Sequence, residues 1–343
     1  MTRRTILAAA AAGTALSAAK PIRAAVYGIG HAHAMGKVAA LRALPQFELA
    51  GVCEPDTARP RTHASLEGVR WLTQREILED TSIELIAVES RVQENLSYAR
   101  QAVDSGKHVH LDKAPGNNLN SLRGLLAEAG RRKLSVQMGY QWRYHPAMRA
   151  AIEAARNGRL GDVYSFRARI DKPMNAADRR DLAAFRGGMM FELGCHLIDR
   201  ATDLLGKPLR VTGHLWHHSH EKDSLADNTL AILEYSRAVA EISVAAMHPH
   251  GNSYRTVEIT GTNGSVTVRP FSPYRLISHL RDAAGPYPAG LKETAFPPDR
   301  MPAYATDFLE MAKIIREGAT PSYSPQHDLM TQEVLLQACH EAA

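Results

Sequence analysis

The chain has 343 residues, 45% of them hydrophobic and 22% charged, with a formal charge of +5. That length exceeds one ordinary core and implies two domains, and the composition is that of an ordinary globular protein rather than a disordered or membrane-spanning one. Arg3, Arg4, Lys20 and Arg23 supply four of the positive charges near the N-terminus, and the other charges are mixed, so no nucleic-acid-binding face is expected.

Thr2-Arg3-Arg4-Thr5-Ile6-Leu7 precedes an Ala-rich stretch and then Ser17-Ala18-Ala19-Lys20. A basic start, a short apolar middle and small residues at the end have the layout of a twin-arginine-type signal over residues 1–19. Export to the periplasm is the expectation from it. A cytoplasmic chain with an unprocessed Ala-rich start fits the same residues.

From Lys20 the pattern alternates. Arg23 to Gly28 reads as a buried strand. His33 to Leu44 has Val38, Leu41 and Leu44 at helical spacing, and Phe47 to Cys53 is a second strand. A helical turn over Gln74 to Glu79 leads to a strand over Ile83 to Val88. A helix over Asn95 to Ser105 stops at Gly106. A strand over Lys107 to Leu111, a helix over Leu119 to Arg131 and a strand over Leu134 to Met138 close the series. Strands alternating with helices predict a doubly wound parallel sheet, an N-terminal Rossmann domain over 20–141.

Beyond Tyr140 the rhythm changes. Pro146 to Asn157 reads as a connecting helix. Strand-like runs follow at Val163 to Ile170, Leu209 to His217, Thr229 to Tyr235, Val239 to Met247, Thr256 to Gly261 and Ser265 to Val268. Hairpin signals at Ser236-Arg237 and Asn263-Gly264 favour antiparallel pairing. Tyr304 to Arg316 and His327 to His340 read as terminal helices. The fold class expected is α/β: the Rossmann sheet, then an α+β domain over 142–343 with a largely antiparallel open sheet.

Gly28-Ile29-Gly30-His31-Ala32-His33 follows a strand and opens a helix. The first glycine permits a tight turn and the second lets the backbone approach a pyrophosphate, which the helix N-terminus then favours. His33 stands where the usual third glycine would be, and a bare G-x-G also fits an ordinary strand-to-helix turn. Glu54 lies at the end of the second strand, about 20 residues on, where an acid bonds the adenine ribose hydroxyls. That favours NAD; nearby Arg59 leaves NADP open.

Three further segments carry a family resemblance: His108-Val109-His110-Leu111-Asp112-Lys113-Ala114-Pro115, Met138-Gly139-Tyr140-Gln141-Trp142-Arg143-Tyr144-His145-Pro146, and Gly187 to Asp199, which contains Glu192, Gly194 and His196. With the glycine loop, they resemble the Gfo/Idh/MocA family of glucose–fructose oxidoreductase and inositol dehydrogenase-like enzymes over nearly all the chain past the signal. The resemblance implies that Lys113 sits between nicotinamide and substrate, that His196 exchanges the hydroxyl proton, and that Glu192 stands where the family more often has aspartate. It implies a nicotinamide-ribose loop in the segment Glu89 to Asn95, with Ser90, Arg91 and Asn95 as contacts, and a cofactor contact at Asp112. Three departures stand out: Asp112 for the usual glutamate, Ala114 between Lys113 and Pro115, and Glu89-Ser90-Arg91 in place of a Thr-Pro pair.

The chemistry suits these residue types. A neutral imidazole accepts a hydroxyl proton near pH 7, and an ammonium stabilises developing alkoxide charge. Glu192 and His196, four apart, share a helical face, so the carboxylate could fix the imidazole tautomer or bond a substrate hydroxyl. Gly194 between them would let a ligand approach. Lys113 at a strand C-terminus is where open α/β sheets bind ligands. Arg143, Lys172 and Asp199 are candidate substrate contacts; a structural partner role fits Asp199 as well, and a solvated charge fits Arg143 and Lys172 as well. Tyr140, Trp142 and Tyr144 read as a sugar-stacking face or as packing.

The histidines at 214, 217, 218 and 220 have no recognised metal spacing, and no metal site is expected. Cys53, Cys195 and Cys339 have neither a disulfide framework nor zinc spacing and read as small buried hydrophobes. The expected partner is a small sugar, cyclitol or glycoside, and a homo-oligomer through the second sheet is plausible. The functional expectation is hydride transfer between nicotinamide and a carbinol or keto carbon. A redox-neutral glycoside hydrolase or lyase and a non-catalytic sugar sensor are the alternatives.

Overall fold

A computed structural model describes residues 20–297 and 301–340. The expected twin-arginine-type signal over residues 1–19 therefore lies outside the described residues. Nine elements build the first domain: β1 (Ile22–Tyr27), α1 (Ala34–Ala43), β2 (Phe47–Cys53), α2 (Gln74–Glu79), β3 (Leu85–Val88), α3 (Val92–Asp104), β4 (His108–Leu111), α4 (Leu119–Arg131) and β5 (Val136–Met138). Their sheet is parallel throughout, in the order β2-β1-β3-β4-β5. β1, β3 and β4 are almost entirely buried, as strands covered by helices on both faces must be.

The second domain holds α5 (Pro146–Arg156), β6 (Val163–Asp171), α6 (Ala176–Leu182), a π-helical turn at Met190–Gly194 that runs into α7 (Cys195–Leu205), and β7 (Arg210–Trp216). It continues with β8 (Asn228–Glu234), β9 (Val239–Ala245), β10 (Thr256–Gly261), β11 (Gly264–Val268), β12 (Arg275–Leu280), β13 (Gly290–Ala295), α8 (Ala305–Glu317) and α9 (Pro325–Ala338). The eight-stranded sheet runs β13-β12-β11-β10-β6-β9-β8-β7. Every pairing is antiparallel except β6 with β9. The α+β reading holds, with one parallel step at the centre.

Two differences matter for the site. First, α8 does not stay with the second domain. Its Ala305, Phe308, Met311 and Ile314 join Ala34, Val38 and Leu41 of α1 in one apolar cluster on the first domain. A boundary that assigns 142–343 wholly to the second domain misses this return. Second, α6, β12 and β13 are not expected from the sequence, and α6 lines the cavity beside the glycine loop.

Candidate active site

The glycine loop is built by close packing. Gly28 adopts φ +82°, and a Cβ there would lie 2.7 Å from Ser90 Cα. A Cβ on Gly30 would lie 2.7 Å from the Arg91 backbone nitrogen. Both glycines therefore let the loop press against the end of β3. Glu54 at the end of β2 fixes it further, accepting from the backbone N–H groups of Ile29 at 2.7 Å and Asp56 at 2.8 Å and pairing with Arg59 at 3.1 Å. α1 has His33 as its N-cap, which makes no side-chain capping bond, and its first turn carries no acid. Its N-terminal dipole is thus left for an anion. Gly30, His31 and Ala32 line a cavity of about 230 Å³, facing Arg91, Lys172, Asp178, Arg180, Asp181, Phe185 and Glu192.

Behind this cavity lies a web of buried charge. Asp112, at the end of β4, has Oδ1 bonded by the Lys113 backbone N–H at 2.8 Å and approached by Lys37 at 3.3 Å. His31 Nδ1 lies 2.5 Å and His33 Nδ1 3.2 Å from its Oδ2. Lys37 also pairs with Glu89 at 3.0 Å. The Lys113 ammonium donates to Glu192 Oε1 at 2.6 Å and to the Glu192 carbonyl at 2.9 Å. His31 Nε2 sits 3.6 Å from that same Oε1. Ser90 donates to Asn95, and Asn95 donates to the Ala114 carbonyl at 3.3 Å, so these two hold the Lys113 segment from beneath. The Lys113–Ala114 peptide is cis.

The electrostatics follow from burial against pairing. Burial opposes charge on Asp112, but His31 and Lys37 hold its carboxyl well below the usual range. Lys113, then His31, do the same for Glu192 against its burial. Burial, helped by Asp112, pushes Glu89 well above the carboxylate range despite Lys37. Burial works against His31, yet Asp112 and Glu192 raise it to about 9, while burial drops His33 to about 4. Lys37, Lys113 and His31 thus converge on Asp112, Glu192 and Glu89 beside the loop. His31, His33 and Asp112 bring three ligand-type atoms within 4.8 Å of one another, and the Lys37 ammonium already lies 3.3 Å from that carboxylate.

The structure brings Lys113, Glu192 and His196 together, but in an unexpected order. Glu192 faces the cavity; Lys113 is fully buried behind it. His196 is 3% exposed, stacked on Trp142 at 5.0 Å and edge-on to Tyr140 at 5.9 Å. Its Nδ1 has no hydrogen-bond partner among the described residues, and burial, then Lys113, hold the ring well below its ordinary value. Glu192 is bonded to Lys113 and fixes no tautomer of His196.

Other expectations are corrected. Arg143 and Asp199 do not line this cavity: Arg143 is buried and donates to Asp199 at 2.7 Å and Asp328 at 2.6 Å, and Asp199 also receives Arg200 and His327. Gly194 makes room for packing rather than for ligand, since a Cβ there would meet Met190 Sδ at 2.4 Å. Tyr140 and Trp142 pack on His196, and Tyr144 bonds Glu310. Lys172 does line the cavity. His214, Trp216 and His218 stack along an exposed strand end, and His217 bonds the carbonyls of Leu225 and Glu221. All three cysteines are buried. Lys37 was missed; a lone lysine among Ala34, Val38 and Leu41 on a buried helical face was the available signal.

Residues 22–140 match the family description "Oxidoreductase family, NAD-binding Rossmann fold", and residues 148–267 match "GFO/IDH/MocA C-terminal domain". The chain belongs to the Gfo/Idh/MocA oxidoreductase family. It is an NAD(P)-binding oxidoreductase.

An uncharacterized oxidoreductase of Schizosaccharomyces pombe is 29% identical over 57% of this chain and 54% of its own length, so the chain spans about half of that relative. The dTDP-3,4-didehydro-2,6-dideoxy-alpha-D-glucose 3-reductase of Actinomadura kijaniata is 24% identical over 76% of this chain and 80% of its own length. Among solved structures, GenD2 from gentamicin A biosynthesis, in complex with NAD, superposes with TM-score 0.78 at 23% identity over 94% of each chain. KijD10, a 3-ketoreductase from Actinomadura kijaniata with NADP and TDP-benzene, gives 0.75 at 20% identity over 92% and 96%.

Proposed function

We propose that this family member moves hydride between nicotinamide and a carbinol or keto carbon of a sugar, cyclitol or glycoside, with NAD preferred over NADP. The observation that carries the reading is the Lys113–Glu192 pair: Lys113 follows the C-terminal end of β4, and Glu192 lines a cavity together with Gly30, His31 and Ala32 of the dinucleotide loop. Bound nicotinamide supplies the hydride acceptor or donor. The chain's own residues handle the oxygen and its proton. Lys113 stays cationic and stabilises alkoxide charge once Glu192 yields it to a substrate oxygen. Glu192, held ionised, accepts a hydrogen bond from a neighbouring hydroxyl. His196, kept neutral, has unfilled bonding capacity at Nδ1 for the proton released.

The polar rim of Lys172, Asp178, Arg180 and Asp181 beside Phe185 and Met174 suits a polyhydroxylated ring. The sugar reductase among the relatives supports that class. Glu54 at the ribose end of the loop supports NAD, because a carboxylate repels a 2′-phosphate.

The test is nicotinamide absorbance with a panel of sugars, cyclitols and glycosides. Turnover should fall by about 10² to 10³ in Lys113→Ala, the usual cost of a lost charge-stabilising donor. Unchanged turnover in that variant would end the assignment. Aglycone release from aryl glycosides without net NADH would replace it with the redox-neutral reading.

A further inference from the structure

The dinucleotide loop sends one side chain into the proton-handling machinery. The His31 main chain is pinned by its N–H to the Glu89 carbonyl at 2.9 Å. Its ring then reaches between two carboxylates from different domains: Asp112 Oδ2 at 2.5 Å on one side and Glu192 Oε1 at 3.6 Å on the other. That Glu192 oxygen also takes the Lys113 ammonium at 2.6 Å. One carboxylate oxygen therefore serves both the lysine assigned to chemistry and a residue of the loop that receives the cofactor.

We propose that His31 couples occupancy of the dinucleotide loop to how tightly Glu192 holds the Lys113 ammonium. The coupling rests on the dinucleotide assignment and on Lys113 as the working ammonium. His31 acts as a positioning residue through Glu192.

The physical argument is one of linkage. A diphosphate on the Gly30–Ala32 backbone sets negative charge beside the imidazole. A protonated ring attracts it, so the protonated form binds the cofactor more tightly, and bound cofactor raises the proton affinity of the ring by the same factor. Loss of that proton leaves Glu192 with Lys113 alone, and the ammonium is gripped harder when substrate must draw it away.

The charged groups around the ring are those of every element against it. Asp112 and Lys113 come from the end of β4, Glu192 from the π-helical turn, and His33 and Lys37 from α1. Glu89 and Arg91 flank the end of β3, and Lys172, Asp178, Arg180 and Asp181 stand across the cavity. Of the cations in direct contact with these carboxylates, Lys37 and Lys113 are shifted upward from 10.5, whereas His31 stands near 9. His31 is thus the first of them to lose its charge as pH rises.

NADH fluorescence titration of the full protein between about pH 7 and 10.5 tests the coupling. In the wild type, the dissociation constant should rise about tenfold through pH 9, the effect of one partly screened charge. In His31→Gln it should be weak and flat across that range. In His31→Lys, which keeps a cation, binding should stay tight through pH 9. A second readout needs no cofactor: the ¹⁵N imidazole resonance lost in His31→Gln should titrate near pH 9 in nucleotide-free protein and at lower pH in Glu192→Gln.

A wild-type protein that binds NADH with no step near pH 9, or the same step surviving in His31→Gln, overturns the coupling. So does an imidazole already neutral at pH 7. Failure of NADH to bind any of the proteins would overturn the dinucleotide assignment and the coupling together.

Discussion

At Arg143 the guanidinium closes a buried knot of Asp199 and Asp328, with Tyr140 and Tyr323 on its faces. Arg143→Ala should lower the unfolding free energy by about 3–5 kcal/mol, because a buried charge loses its partner. Urea denaturation measures this, and NADH affinity in the folded protein should stay unchanged. Asp307 gives a pH signature. Burial, against the pull of Lys37, lifts its carboxyl from 3.8 to about 7. The folded state therefore holds more protons than the unfolded chain between those two values, and stability falls as pH rises through that window and levels off above it. Asp307→Asn removes this loss. Its advantage in unfolding free energy, measured by urea denaturation, should grow from about pH 4 to about pH 7, reaching a few kcal/mol; a constant difference would show that Asp307 is ionised throughout.

Among the elements, α6 is held in place chiefly by its cap and by Arg179. Seven residues are too few to hold a helix by backbone bonds alone. Asn175 caps it through the N–H groups of Ala177 and Asp178, and Arg179 ties it to Asp223 at 2.5 Å and Asp227 at 2.9 Å. Arg179→Ala should speed amide hydrogen exchange over 176–182 while the Rossmann strands keep their protection. Unchanged exchange there would show that apolar packing of Leu182 and Phe185 suffices. The helix escaped the sequence reading because AADRRDL has no apolar stripe. β12 escaped because Ser278 takes a buried position in an otherwise alternating RLISHL, and β13, with GLKETA on a sheet edge, has no buried face. β3 was legible because its full burial leaves an unbroken apolar run, LIAV.

For the whole molecule, the return of α8 decides how the two domains are joined. Phe308 is fully buried, with its ring 5.7 Å from that of Phe47 and 4.8 Å from that of His110. Phe308→Ala should cost about 3–5 kcal/mol of stability through the cavity it leaves. Calorimetry should show the loss in the transition that also releases NADH, since the affected cluster lies under β1 and α1. A loss confined to the second domain would place α8 outside the Rossmann folding unit. The core on the other face of the parallel sheet continues without a break into α5, α7 and the antiparallel sheet.

The sequence by itself determined the alternating architecture, the glycine loop, the acid at Glu54 and the three segments that contain Lys113, Glu192 and His196. These are local: period, turn chemistry and short spacing are written in neighbouring residues. Only the tertiary structure decided that Glu192 stands in front of Lys113, that Lys37 and Glu89 are buried beside Asp112, and that Arg143 and Asp199 serve the core. Charge pairing across about 80 residues depends on which strand ends and helix ends meet, and burial then sets which of those groups keep their protons.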